Sequence, residues 1–128
     1  MTERELALRR EIMAAFAATG APPEPGDGAT LSSLAEQHVV VLDDAGAIVM
    51  AHPFAAPGAA TTVESGGRTW WGSCAWDGLG IVAALRLADA TVTGNGVTLP
   101  IDDGEPLGHA VFHVEVPARR WWDDIAYT

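Results

Sequence analysis

The sequence predicts an α+β fold, with a reduced helical segment at the N-terminus followed by a core of antiparallel strands and one main helix. Three observations predict it. Apolar residues at helical spacing follow a capping box near the start, and short β-rich runs alternate with Gly-, Asn- and Asp-rich turns through the middle. Only one later stretch, after Cys74, is both apolar and long enough for a main helix. With 128 residues, 48% of them hydrophobic, the chain can bury a core and is not a disordered polymer.

Taken in order, Thr2-Glu3-Arg4-Glu5 is the capping box, with Thr2 as N-cap and Glu5 reaching back to it. Leu6, Leu8, Ile12, Met13 and Phe16 follow, so a helix is predicted over about residues 3–18, with Gly20 as its stop. Residues 21–29, with three prolines and two glycines, are loop. Thr30 or Ser32 caps a short helix through Gln37. His38–Leu42 and Ala47–Met50 then form a hairpin across Asp43-Asp44-Ala45-Gly46. Two helices and a hairpin outline a winged-helix unit, but a full unit has three helices and there is room here for two.

His52-Pro53-Phe54-Ala55-Ala56-Pro57 is expected to be a rigid connector, and His52 is assigned to it. A second hairpin pairs residues 61–64 with 68–71 across Ser65-Gly66-Gly67. The turn at Cys74 leads into the main helix through Leu79, Ile81, Val82, Ala84, Leu85 and Leu87. Gly78 and Gly80 weaken that helix by about 1 kcal/mol each, a cost that suggests close backbone packing or a ligand approaching the helix start. Residues 90–93 pair with 97–99 across Gly94-Asn95-Gly96, Asp102–Glu105 is a turn, and alternation over Ala110–Val116 predicts a strand. Pro117 opens a short helical segment through Asp124, and Ile125–Thr128 begins a strand.

Composition excludes several function classes. A net charge of −10, with seven arginines and no lysine, opposes binding to nucleic acid or to an anionic membrane, both of which need a basic footprint. The missing recognition helix points the same way. A single cysteine forbids an internal disulfide, the start of the chain has no signal-type apolar run, and no stretch approaches the length of a bilayer span. A cytoplasmic location is expected.

The chemistry concentrates in Trp71-Gly72-Ser73-Cys74-Ala75-Trp76-Asp77-Gly78-Leu79. Residues i and i+3 share a helix face, so the Cys74 sulfur and the Asp77 carboxylate can converge on one small ligand. At a helix N-terminus the unpaired N–H groups favour thiolate, so a lowered thiol pKa is expected. The plainer readings are that Cys74 is buried filler and that Asp77 complements the helix dipole. Trp71 and Trp76 bracket Cys74 closely enough to line a pocket. His109 and His113 have metal-pair spacing for a helix, but they fall on a predicted strand, where surface or core roles are favoured.

Three stretches together resemble the organomercurial lyase (alkylmercury lyase, MerB-like) family. They are Met50-Ala51-His52-Pro53-Phe54-Ala55-Ala56, then Arg68-Thr69-Trp70-Trp71-Gly72-Ser73-Cys74-Ala75-Trp76-Asp77-Gly78-Leu79-Gly80-Ile81, and Val116-Pro117 with Arg120-Trp121-Trp122-Asp123-Asp124-Ile125. The resemblance runs from about residue 34 to the end, and Cys-x-x-Asp at a strand-to-helix turn is its specific part. It implies a reduced winged-helix-like segment over residues 1–52 packed on a MerB-like α+β core over residues 53–128. It also implies protonolysis of a carbon–mercury bond, with mercury, a soft metal suited to thiolate, bound as substrate by Cys74. Asp77 would be the proton carrier, and Phe54, Trp71 and Trp76 would line the pocket. No resident cofactor is implied, although a free thiol such as glutathione would assist.

The sequence departs from the family in one respect. The family's second cysteine lies on a strand after the Trp-Trp-Asp-Asp-like segment, and no cysteine follows here. Two expectations result: a short homologue without the second thiol, or a longer product whose stop has been assigned early, for instance at a selenocysteine codon. The expected partner is a small organometal or organic substrate, and an unfinished strand edge would allow a homodimer. Two alternatives keep the fold: Cys74 and Asp77 acting on a small organic substrate, or a non-catalytic metal-binding or interaction module.

Overall fold

The computed structural model describes residues 1–125. Helix α1 (Glu3–Thr19) starts at the capping box: the Thr2 hydroxyl accepts from the Glu5 amide at 3.2 Å, and the Thr2 amide donates to Glu5. Helix α2 (Gly28–Glu36) begins earlier than expected, because Asp27 caps it and not Thr30 or Ser32. Its carboxylate accepts from the amides of Ala29 and Thr30, which neither hydroxyl inside the helix could do. Glu5 is buried between the two helices, where it also accepts from Ser33 at 2.6 Å and from Gln37 at 3.0 Å.

Strands β1 (Val41–Leu42) and β2 (Ile48–Ala51) form the first hairpin. The strand expected from His38 starts only at Val41, because the amides of His38 and Val39 close the end of α2 on Ala35 and Leu34. The supposed connector contains a strand of its own, β3 (Phe54–Ala55), paired with β2 on one side. On its other side lies β5 (Arg68–Gly72), which forms the second hairpin with β4 (Thr61–Ser65). After helix α3 (Ala75–Leu85) come β6 (Ala90–Gly94), β7 (Val97–Asp102) and β8 (Glu105–Pro106). All eight strands join one antiparallel sheet in the order β1-β2-β3-β5-β4-β6-β7-β8. Helix α3 ends two residues short of Leu87, where Arg86 turns left-handed and its amide and that of Leu87 bond back to the last helical turn.

One apolar core runs through the fold. Ile12 and Phe16 of α1 and Leu31 and Leu34 of α2 meet the sheet residues Val63, Trp70 and Val92, and Ile81 of α3. The end of α1 is fastened to β5: Arg68 donates to the carbonyls of Ala17 and Ala18, and the Trp70 indole donates to Ala17 at 3.0 Å. These bonds satisfy carbonyls that the helix leaves unpaired. Helix α3 lies on β4, β5 and β6, and Gly78 allows the close approach. A Cβ there would sit 2.5 Å from Val92 Cγ1.

The strand expected over Ala110–Val116 does not form. The edge it would join is β8, only two residues long and ending in Pro106, which has no N–H to offer. Residues 107–115 run exposed and without regular structure, and a 3-10 helix (Ala118–Asp123) follows where a short helical segment was expected. Residues 126–128, most of the incipient strand and of the proposed dimer edge, lie outside the described residues. Among the described residues, no helix is long and apolar enough to cross a membrane.

Candidate functional site

Strand β5 delivers the chain to the site. Gly72 ends it, and a Cβ at Gly72 would lie 3.1 Å from the Asp77 Cβ and 3.3 Å from the Pro53 carbonyl oxygen. Only a glycine lets the first turn of α3 fold back this tightly. Cys74 occupies the N-cap position with extended backbone, yet its side chain makes no capping hydrogen bond. The first free amide, that of Ala75, donates instead to Asn95 Oδ1 at 2.7 Å. Asn95 sits with Gly96 in the two-residue β6–β7 turn, both at positive φ. A residue from another hairpin therefore caps α3, and the half-buried Cys74 sulfur is released from that duty.

Asp77 lies in the first turn of α3, and its side chain is 16% exposed. Its Oδ2 accepts from the Ser73 hydroxyl at 2.5 Å, and His52 Nδ1 lies 3.6 Å from the same oxygen. Burial opposes ionisation of this carboxyl, but hydrogen bonding from His52 and Ser73, together with the His52 charge, holds it below the usual carboxylate value. Asp77 is therefore an anion at neutral pH. The Cys74 thiol is displaced the other way. Burial pushes it up, and the adjacent Asp77 carboxylate adds to the rise. The backbone amides of Asp77 and Trp76 pull it down but are outweighed. The lowered thiol pKa expected from the helix N-terminus is thus not what the surroundings produce, because a neighbouring negative charge and desolvation both favour the neutral thiol.

The remaining predicted residues divide. Trp76 is 64% exposed beside Cys74, and Phe112 meets its ring edge-on with centroids 5.1 Å apart. Trp71 lies half-buried on β5, its ring against Gly20 at the end of α1. Phe54 is a core residue, 3% exposed and stacked on Phe16 at 5.5 Å, so its ring faces the interior and not a solvent-reachable pocket. His109 and His113 fall on the irregular, exposed segment. Among the described residues, no three His, Cys, Asp or Glu side chains gather into a metal cage.

Sequence reasoning missed three contributors. Ser73 was legible, since it precedes Cys74 and stands at i+4 spacing from Asp77. His52 and Asn95 were visible only as a connector and a turn, and it is the sheet that carries each of them to the start of α3. A shallow hollow lined by Glu64, Ser65, Gly66, Gly67, Arg68 and Thr69 lies at the opposite end of the β4–β5 hairpin, away from this chemistry. No family model, curated protein or solved structure matches the chain.

Proposed function

We propose that this protein is an organomercurial-lyase-like enzyme that cleaves carbon–mercury bonds by protonolysis. On this reading α1, α2 and the β1–β2 hairpin are the reduced winged-helix-like segment, and the rest is a MerB-like core. The observation that carries the reading is the placement of Cys74 at the N-cap of α3 and of Asp77 in its first turn, close enough for the carboxylate to influence the thiol and both open to solvent in part. This combination suits a soft metal bound to carbon: sulfur takes the metal, and a base beside it takes the thiol proton and carries it to carbon.

The steps balance. The Cys74 sulfur bonds to mercury in R–Hg–X, X leaves as an anion, and the thiol proton passes to Asp77. The protonated Asp77 then delivers that proton to the carbon. The carbon–mercury electron pair forms the new C–H bond, and R–H departs. With Cys74 the one cysteine in the chain, a free thiolate such as glutathione fills the second mercury position. His52 and Ser73 hold the carboxylate in place and favour its ionised form, which delivery of the proton to carbon regenerates.

The competing reading, a cysteine nucleophile acting on a small organic substrate, is less well supported. A thiol raised by burial and by an adjacent carboxylate is mostly protonated near neutral pH, and the thiolate is the attacking form. The test is incubation with methylmercury and excess glutathione, with methane measured by gas chromatography. Release should require both Cys74 and Asp77. Release no greater than that of Cys74→Ala rejects the proposal.

A further inference from the structure

Residues 110–116 were expected to be a strand, yet the segment after β8 folds back onto the body of the protein, with one aromatic ring against Trp76, close after Cys74, and another beside His52, the neighbour of Asp77. On one flank Phe112 meets Trp76 edge-on at 5.1 Å, two residues from the sulfur. On the other, Trp122 stacks on His38 at 4.1 Å with the planes 9° apart, and stands edge-on to His52 at 6.1 Å. His52 is the group whose Nδ1 lies 3.6 Å from Asp77. Val111, just before the first anchor, and Val114, between the two, are 95% and 62% exposed, so this stretch of the segment is not held in the core. Trp121 donates from its indole to the Val116 carbonyl at 2.7 Å, which stiffens the 3-10 helix that carries Trp122.

We infer that residues 107–125 form a roof over the Cys74–Asp77 site, and that Phe112 and Trp122 determine the size of the molecule that reaches the sulfur. The inference rests on the assignment of this site, but not on the identity of its substrate. Small groups pass between the two anchors, and bulky ones require the roof to lift. Lifting breaks aromatic contacts, each strong enough to shift an opening equilibrium by about fivefold.

Cys74 is the one cysteine in the chain, so alkylation reports a single sulfur. The experiment compares alkylation rates with iodoacetamide and with the much larger pyrenyl maleimide, in the native protein and in the Phe112→Ala/Trp122→Ala double variant. The bulky-to-small rate ratio should rise by about fivefold or more in the double variant. An unchanged ratio in a folded variant, checked by far-UV circular dichroism, overturns the inference. His38→Asn provides a second route, because it removes the stacking partner of Trp122 from the body of the protein while asparagine tolerates the left-handed backbone found there (φ 60°). It should move the ratio in the same direction, and a ratio equal to that of the native protein counts against the roof. Neither readout involves mercury. A raised ratio without methane release keeps the roof and discards the lyase, and methane release with an unchanged ratio does the reverse.

Discussion

At the scale of single residues, Asp77 has two opposite effects on Cys74. Its charge suppresses the thiolate, while its basicity is what the proposed reaction uses. Asp77→Asn therefore separates the roles. Without the negative charge the thiol ionises more easily, so the pH profile of iodoacetamide alkylation should move to lower pH. Methane release should fall by about 10²–10⁴-fold, the usual contribution of a positioned proton carrier. A variant that alkylates faster yet releases no methane fits no purely structural role for the carboxylate. A profile that stays put would show that the charge does not govern the sulfur. The Cys-x-x-Asp pair was legible because i and i+3 spacing is a local property of any helix. The direction of the thiol shift was not legible, since it depends on how deeply the sulfur is buried and on where the carboxylate turns.

At the scale of elements, one buried carboxylate, Glu5, bridges the first two helices in addition to their shared apolar core. Glu5 takes hydrogen bonds from Ser33, Thr2 and Gln37, with Ser33 the strongest influence, and its pKa is lowered from 4.5 to about 2. A carboxyl depressed on folding stabilises the protein above its unfolded pKa, and that contribution fades as pH falls toward the folded value. The urea midpoint should therefore drop as pH is lowered from about 4.5 toward 2, and Glu5→Gln should flatten that part of the curve. An unchanged slope in Glu5→Gln would assign acid sensitivity elsewhere. The capping box itself was visible in the sequence, as were the turn pairs Gly66-Gly67 and Asn95-Gly96, because their chemistry is confined to neighbours in the chain. Elements whose existence depended on a distant partner were misjudged. Phe54–Ala55 became a strand because β2 and β5 flank it, and Ala110–Val116 failed to become one because the edge stops at Pro106.

At the scale of the molecule, helices, sheet and site share one core, so stability and site geometry are coupled. Phe16, fully buried, stacks on Phe54 and packs among residues of both helices and the sheet. Phe16→Ala should cost about 3–5 kcal/mol and lower the urea midpoint in a single transition, read in parallel by tryptophan fluorescence and by Cys74 accessibility. Two separated transitions would mean that the N-terminal helices unfold independently of the site. The sequence by itself determined the α+β class, the order of most elements, the acidic net charge and the spacing that places Cys74 and Asp77 on one helical turn. All of these follow from periodicity, turn chemistry, net charge and near-neighbour spacing. Only the tertiary structure decided that His52 would reach Asp77, that Asn95 would cap α3 in place of Cys74, that Phe112 would meet Trp76 and that Trp122 would reach His38 and His52. Each of those contacts joins residues about twenty or more positions apart, and their approach is determined by strand order and by the packing of α3 on the sheet, which no local pattern encodes.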